Sequence, residues 1–205
     1  MIVCVVPAAG ESSRFPWNKL LFIYNEKPII VQTISNILGS GVVDDVVLVT
    51  GYQSSSIVEL TRRYGLNVRV VYNQDYKSGM SSSIKLGVKY VTEAFKNVHG
   101  VMVNPGDAAW IHPGIYTLLV VKFLEYMDRY DIVVATYRGR RGHPIIFSGR
   151  LLSELESVSE ETQGLREVVK KHSQSTLLVE TGYPGVVLDL DTVLDILRVK
   201  SSLYV

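Results

Sequence analysis

Residues 2–19 read IVCVVPAAGESSRFPWNK. Ile2-Val3-Cys4-Val5-Val6 is a short apolar run and predicts a buried first strand near the N-terminus. It empties into small and polar residues. Ala8, Ala9 and Gly10 leave backbone N–H groups uncovered, and successive N–H groups form a concavity that suits phosphate. Ser12 and Ser13 add hydroxyls, Arg14 a planar cationic fork and Lys19 a point charge. The segment lacks the terminal Gly-Lys-Ser/Thr of a P-loop and the three spaced glycines of a dinucleotide fold. Taken alone, it is open to two readings, an anion-binding turn or a plain tight turn.

Outward from this strand, apolar runs of strand length recur at Asp45–Thr50, Asn67–Tyr72, Gly100–Val103, Asp131–Thr136 and Thr176–Glu180. Amphipathic segments of helix length lie between them, at Ile29–Leu38, Ser56–Tyr64, Ser82–Phe95 and Ile115–Tyr130. The alternation predicts an α/β fold: a three-layer sandwich with a mostly parallel, Rossmann-like twisted sheet, helices on both faces and right-handed crossovers. After Thr136 the pattern becomes an Arg-rich turn, a short strand, two short helices and two more short strands. These are expected to trim the same domain with an antiparallel element. Length and the lack of a linker or repeat favour one domain over residues 1–205. In such sheets ligands bind beyond the carboxyl ends of the strands, where the 7–19 loop lies.

Bulk properties exclude several classes. A net charge of +1 gives no global field for nucleic acid or an anionic membrane. The single cysteine, Cys4, excludes an internal disulfide and a multi-cysteine metal site; mid-strand, it reads as a small buried hydrophobe. No apolar stretch is long enough to span a bilayer, and the N-terminal run is too short for a signal peptide. A cytoplasmic, soluble protein is the expectation. His99, His112 and His172 show no metal-ligand spacing.

Four further segments carry chemistry, each beside a plainer reading. Asp107, in Asn104-Pro105-Gly106-Asp107 after the strand Gly100–Val103, points into the crevice and suits a hard cation such as Mg²⁺; it equally suits a turn that caps the next helix. Ser78-Gly79-Met80-Ser81-Ser82-Ser83 opens a helix, either as caps or as bare N–H groups for a nucleotide. Arg138-Gly139-Arg140-Arg141-Gly142-His143-Pro144 is a glycine-punctuated basic turn able to wrap a phosphorylated small substrate. It has no long basic stripe or interleaved aromatics of the kind nucleic acid uses. In Val186-Val187-Leu188-Asp189-Leu190-Asp191-Thr192, residues two apart on a strand share a face, so Asp189 and Asp191 would repel unless a cation sits between them. Asp191 otherwise caps the helix that follows.

In this order the segments resemble the nucleotidyltransferases with a GT-A-like fold, and among them the MobA/MocA-like enzymes of molybdenum cofactor maturation. The 7–19 loop resembles LAAGxSxRxGxxK through Ala8-Ala9-Gly10, Ser12 or Ser13, Arg14 and Lys19, departing at Phe15-Pro16-Trp17. Gly106-Asp107 resembles GDxP with Ala108-Ala109 in place of the last pair, and Gly79–Gly87 resembles GMxxSLxxG. Gly139–Phe147 resembles GxxGHPxxF of the MocA-like branch, and Asp189–Asp195 resembles DxDTPED with Val193-Leu194 for Pro-Glu.

The resemblance implies a nucleotidyltransferase. The NTP phosphates would lie over the loop, and Gly79 and Ser83 would contact the nucleotide. Arg14, Lys19 and Asp107 would be catalytic, and Arg141, Gly142 and His143 would meet the acceptor. Mg²⁺ (or Mn²⁺) would be held by Asp107 and Asp189, with Asp191 either a further ligand or a cap. For His143, a structural or substrate-orienting role is preferred to proton transfer, because phosphoryl transfer needs little acid–base help. The family carries Ala-Ala-Gly in cytidylyltransferases and Ala-Gly-Gly in guanylyltransferases, so Ala9 implies CTP, with molybdopterin as the phosphorylated acceptor. Transient contact with a molybdoenzyme or its maturation factors is implied as well. The competing readings are a guanylyltransferase, a sugar- or polyol-phosphate nucleotidyltransferase of the same fold, and a nucleotide-binding accessory protein for molybdoenzyme maturation.

Overall fold

The computed structural model describes residues 1–188, 190, 192, 194 and 195. The chain runs β1 (Ile2–Ala8), a small antiparallel hairpin of β2 (Ile23–Tyr24) and β3 (Lys27–Pro28), α1 (Ile29–Gly39), β4 (Asp45–Thr50), α2 (Ser54–Arg63), β5 (Arg69–Tyr72), α3 (Met80–Ala94) and β6 (Gly100–Val103). It continues through α4 (Pro113–Tyr126), β7 (Ile132–Tyr137), β8 (Arg140–Ser148), α5 (Leu152–Leu155), α6 (Leu165–Lys171) and β9 (Thr176–Glu180). Seven strands form one sheet in the order β5-β4-β1-β6-β8-β7-β9. All run parallel except β8, which is antiparallel to both β6 and β7.

Every residue of β1 is buried, as expected for a central parallel strand covered on both faces. Its side chains divide by parity. Cys4, Val6 and Ala8 join a cluster with Ile30 and Ile34 of α1, Ile57 of α2 and Leu119 and Phe123 of α4. Val3 and Val5 join the opposite cluster, with Ile84 and Val88 of α3, Leu155 of α5 and Val168 of α6. The three-layer α/β sandwich expected from the sequence is therefore present. Among the described residues, no helix is long and apolar enough to cross a membrane.

The strands Asp45–Thr50, Gly100–Val103 and Thr176–Glu180 have the bounds expected from their apolar runs. Two expectations after Thr136 are corrected. The Arg-rich segment is not a turn throughout. Only Arg138 and Gly139, both at positive φ, make the turn, and Arg140 to Ser148 form the nine-residue β8. A second short strand after β9 is also absent from the described residues. Pro184 to Val187 instead wind into a 3₁₀ turn, for which Pro at the start has a suitable φ. Asp189 and Asp191, which the strand reading placed on one face, lie outside the described residues.

Phe147 on β8 is fully buried and stands opposite Val101 of β6 and Ile132 of β7. Phe147→Ala should therefore cost about 3–5 kcal/mol in urea unfolding. Leu178→Ala on the edge strand β9, where the side chain is half exposed, should stay within about 0.5 kcal/mol.

Candidate active site

The connection from β1 leads to β4 on one side, whereas β6 pairs with β1 on the other. Their carboxyl ends form a topological switch point, where open α/β sheets bind ligands. Two bonds extend the β1–β6 ladder past the end of β6: Asn104 N donates to Val5 O at 3.1 Å, and Gly106 N to Pro7 O at 3.0 Å. Thr33 of α1 donates to Gly106 O at 2.9 Å and Asn36 to Ala109 O at 3.0 Å, holding the turn from beneath. A cleft of about 460 Å³ opens above. Ala8, Ala9, Gly10, Ser12, Ser13, Arg14, Lys19, Gly79, Ser83 and Asp107 all line it, together with Tyr76 and Met80.

The loop after β1 is shaped by its own residues. Ser12 takes a positive φ of 56°, its carbonyl accepts from Phe15 N at 2.7 Å, and its hydroxyl accepts from Lys19 N at 3.2 Å. Phe15 is buried edge-on against Trp17 and Phe22, with ring centroids 5.9 and 5.7 Å away. The Phe-Pro-Trp departure thus anchors the loop. A methyl built on Gly10 meets nothing within 4 Å, so any larger residue there would project from the loop into open space. Lys19 Nζ lies 2.5 Å from Asp107 Oδ2, both side chains about four-fifths buried. The loop cation and the turn carboxylate, 88 positions apart, form one ion pair at the floor of the cleft.

The first turn of α3 is held from a distance. Gly79, at φ +99°, precedes the helix and gives it no side-chain cap. Glu160 supplies one instead: its carboxylate accepts from Ser81 N at 2.7 Å and packs where a Cβ on Gly79 would stand. Ser83, expected to contact a nucleotide, is 2 % exposed, and its hydroxyl accepts from Asn73 Nδ2 at 2.9 Å while still lining the cleft. Asn73 also donates to Ser82 Oγ at 2.9 Å. Asn73, Tyr76 and Glu160 were not singled out from the sequence. Asn73 could have been suspected as a polar residue just past the carboxyl end of a strand. Glu160 carries no local signal, since its partner is 79 positions away. Beyond α3, a second cavity of about 580 Å³ is lined by Tyr72, Asn73, Lys85 and Glu160 among others, and of the expected site residues it holds none.

Arg141, Gly142 and His143 do not line the cleft. They sit on β8, just past the point where β8 pairs with the end of β6. Arg141 is exposed, and Gly142 packs so closely on the 3₁₀ turn that a Cβ would clash with Val186 O. His143 Nδ1 is buried and has no hydrogen-bond partner among the described residues. Burial lowers the His143 pKa to about 4, and the Asp107 charge only partly offsets this. The imidazole is therefore neutral near pH 7, which suits hydrogen bonding better than proton delivery. Cys4 is fully buried, which pushes its thiol far up and leaves it inert, as expected. Among the described residues no three His, Cys, Asp or Glu side chains gather as a metal cluster.

The His143 shift has a sign that can be tested. Between pH 6.5 and about 4 the unfolded chain takes up a proton that the folded chain refuses. Stability should fall as pH drops through that window. His143→Gln should flatten the fall, as read from urea midpoints at pH 7.5, 6 and 5.

Comparison with known proteins agrees with this architecture. A profile of the MobA-like NTP transferase domain matches residues 4–176. The molybdenum cofactor cytidylyltransferase of Escherichia coli (strain K12) is 26% identical over 202 residues, covering 97% of this chain and 95% of that protein. A probable molybdenum cofactor guanylyltransferase of Thermococcus sibiricus is 31% identical over 125 residues, 60% of this chain and 57% of its own. The solved structure of a nucleotidyl transferase from Methanothermobacter thermautotroptrophicus superposes with a TM-score of 0.80 at 23% identity, covering 98% of this chain and 96% of the other. With its cleft at the β1–β6 switch point and that profile over most of its length, the chain belongs to the MobA-like NTP transferase family of nucleotidyltransferases.

Proposed function

We propose that this chain transfers the CMP moiety of CTP to the terminal phosphate of molybdopterin, with release of pyrophosphate and dependence on Mg²⁺. The observation that carries the reading is the Lys19–Asp107 ion pair in a cleft also lined by the small loop residues Ala8, Ala9 and Gly10. Each partner of that pair has a new partner once a metal-bound triphosphate enters. Asp107 would take the cation and Lys19 the phosphates.

The donor set fits a hard divalent ion. Mg²⁺ takes one or two carboxylates and fills its other positions with phosphate and water, and Asp107 is an inward carboxylate in a recessed cleft. Asp107 and Asp189 would hold it, with Asp191 as a third candidate, and Mn²⁺ has the same ligand preference. The ion would supply charge neutralisation for the α-phosphate and the departing pyrophosphate.

The loop amides from Ala9 to Ser13 would cradle the triphosphate, and Gly79 and Ser83 would face the nucleoside. A phosphate oxygen of the acceptor attacks the α-phosphorus in line. The new P–O bond forms as the bond from the α-phosphorus to its bridging oxygen breaks, and pyrophosphate leaves with that electron pair. Arg14 and Lys19 stabilise the charge that collects on it. His143 and Arg141, on the strand next to β6, would orient the acceptor, the neutral imidazole by hydrogen bonding and the guanidinium through its phosphate. Positioning and charge supply the acceleration without a protein nucleophile.

Molybdopterin as acceptor is supported by the names of both molybdenum cofactor relatives. CTP is supported by Ala9 in place of glycine and by the relative matched over 95% of its length being a cytidylyltransferase. The Thermococcus relative favours GTP as the second reading.

Incubation with molybdopterin and labelled CTP or GTP should give pyrophosphate and a cytidine dinucleotide, with CTP preferred and chelation of divalent ions abolishing the reaction. Lys19→Ala and Asp107→Asn should each lower turnover a hundredfold or more. Nucleotide binding without any pyrophosphate would instead identify an accessory protein. Preferential GTP incorporation would overturn the base assignment.

A further inference from the structure

The cavity of about 580 Å³ lies across the first turn of α3 from the cleft and takes no part in the proposed transfer. Gly79 and Ser83 line the cleft, whereas Ser78, Ser81 and Ser82 line the cavity. Lys85 and Lys89 follow Ser81 at four-residue spacing, so all three share one face of α3. From Ser81 to Lys89 the helix rises about 12 Å, room for a small molecule laid along it.

The cavity has cations to offer. Lys85 makes no ion pair or hydrogen bond with any described residue, and Lys89 lies 3.9 Å from Glu93, with both of those side chains exposed. Two carboxylates line the cavity as well. Glu160 is already engaged at the start of α3, accepting from Ser81 N at 2.7 Å. Asp75 lies at the end away from the lysines, where its carbonyl accepts from Ser82 Oγ at 3.1 Å. The anionic end of a ligand therefore belongs beside Lys85 and Lys89. Toward Asp75, the hydroxyls of Ser78 and Ser81 have no hydrogen-bond partner among the described residues, and Tyr72 and Leu86 add apolar surface. Hydroxyls beside apolar surface suit a hydroxylated ring, which has a polar edge and an apolar face.

Two contacts link the cavity to the cleft through the helix turn. Asn73 is 3 % exposed, and its Nδ2 donates to Ser82 Oγ on the cavity side and to Ser83 Oγ on the cleft side, each at 2.9 Å. Glu160 packs where a Cβ on Gly79 would stand, so a carboxylate of the cavity also fixes a glycine of the cleft. We propose that this cavity is an effector site for a small phosphate monoester. Lys85 and Lys89 hold the phosphate, and the serines hold the hydroxylated body. Its occupancy fixes the first turn of α3 and thereby tightens nucleotide binding in the cleft, a coupling that is reciprocal. The binding site stands apart from the transferase reading, whereas the coupling rests on it.

The test is calorimetry on the full chain with the cleft filled by CTP and Mg²⁺ and no acceptor present. Ribose 5-phosphate, CMP and inorganic phosphate are titrated into the unaltered chain and into Lys85→Gln/Lys89→Gln. Both lysines are exposed, so the double variant should fold and should bind CTP as the unaltered chain does. Both esters should bind at least tenfold more tightly than inorganic phosphate, and the double variant should lose at least tenfold in affinity for them. Tighter binding of CMP than of ribose 5-phosphate identifies a nucleotide as the ligand, and the reverse order a sugar phosphate. Saturating ribose 5-phosphate should lower the Kd for CTP at least threefold in the unaltered chain and leave it unaltered in the double variant. Ester binding that survives the double substitution, binding of neither ester, or no preference over inorganic phosphate overturns the site. A Kd for CTP that stays the same or rises overturns the coupling. A chain that binds ribose 5-phosphate but not CTP overturns the transferase reading and leaves the site standing.

Discussion

The bonds from Asn104 to Val5 and from Gly106 to Pro7 are the constraint on which the site depends. They continue the parallel ladder for one more turn of chain after β6 has ended, so the Asp107 turn cannot drift from the loop that follows β1. The cost of ordering two long loops against each other is thereby spread over backbone pairing and the Thr33 and Asn36 contacts from α1. With that geometry fixed, opposite charges meet at 2.5 Å without either loop having to search for the other.

The same logic explains why the strands were legible and the caps were not. β1 declares itself by five consecutive apolar residues, and β4, β6 and β9 by runs of equal clarity, because burial on two faces admits little else. The loop residues Ala8 to Lys19 and the carboxylate Asp107 were legible because their chemistry is local: small residues expose amides, and a turn after a strand aims its acid into the crevice. Glu160 capping α3, Asn73 holding Ser83 and Tyr76 resting on Gly51 are tertiary facts. Each depends on a partner that sequence spacing does not announce. The helix start shows the effect. Serines at 81–83 suggested self-capping and a start at Ser82, whereas α3 begins at Met80 under a carboxylate borrowed from far along the chain.

The arginine-rich segment was misread for a related reason. Three arginines and two glycines look like a turn, yet only Arg138-Gly139 turns, and the next residues extend into β8 because they pair with β7. That extension carries His143 past the end of β6 to the neighbourhood of Asp107, where burial keeps the ring neutral. Loop amides and cations thus sit on one side of Asp107 and a neutral imidazole on the other. A nucleotide and a phosphorylated acceptor need the same division, with charge for the leaving group and oriented hydrogen bonding for the attacking partner.

The central claim is that a triphosphate lies on the loop after β1 and reaches Asp107. Amide hydrogen exchange with and without CTP and Mg²⁺ tests it most directly, because among the described residues a second sizeable cavity lies across the start of α3 from the cleft. The account predicts slowed exchange in residues 9–19 and 104–108. Protection confined to residues 72–75, 85–89 and 158–160, around the other cavity, would contradict it.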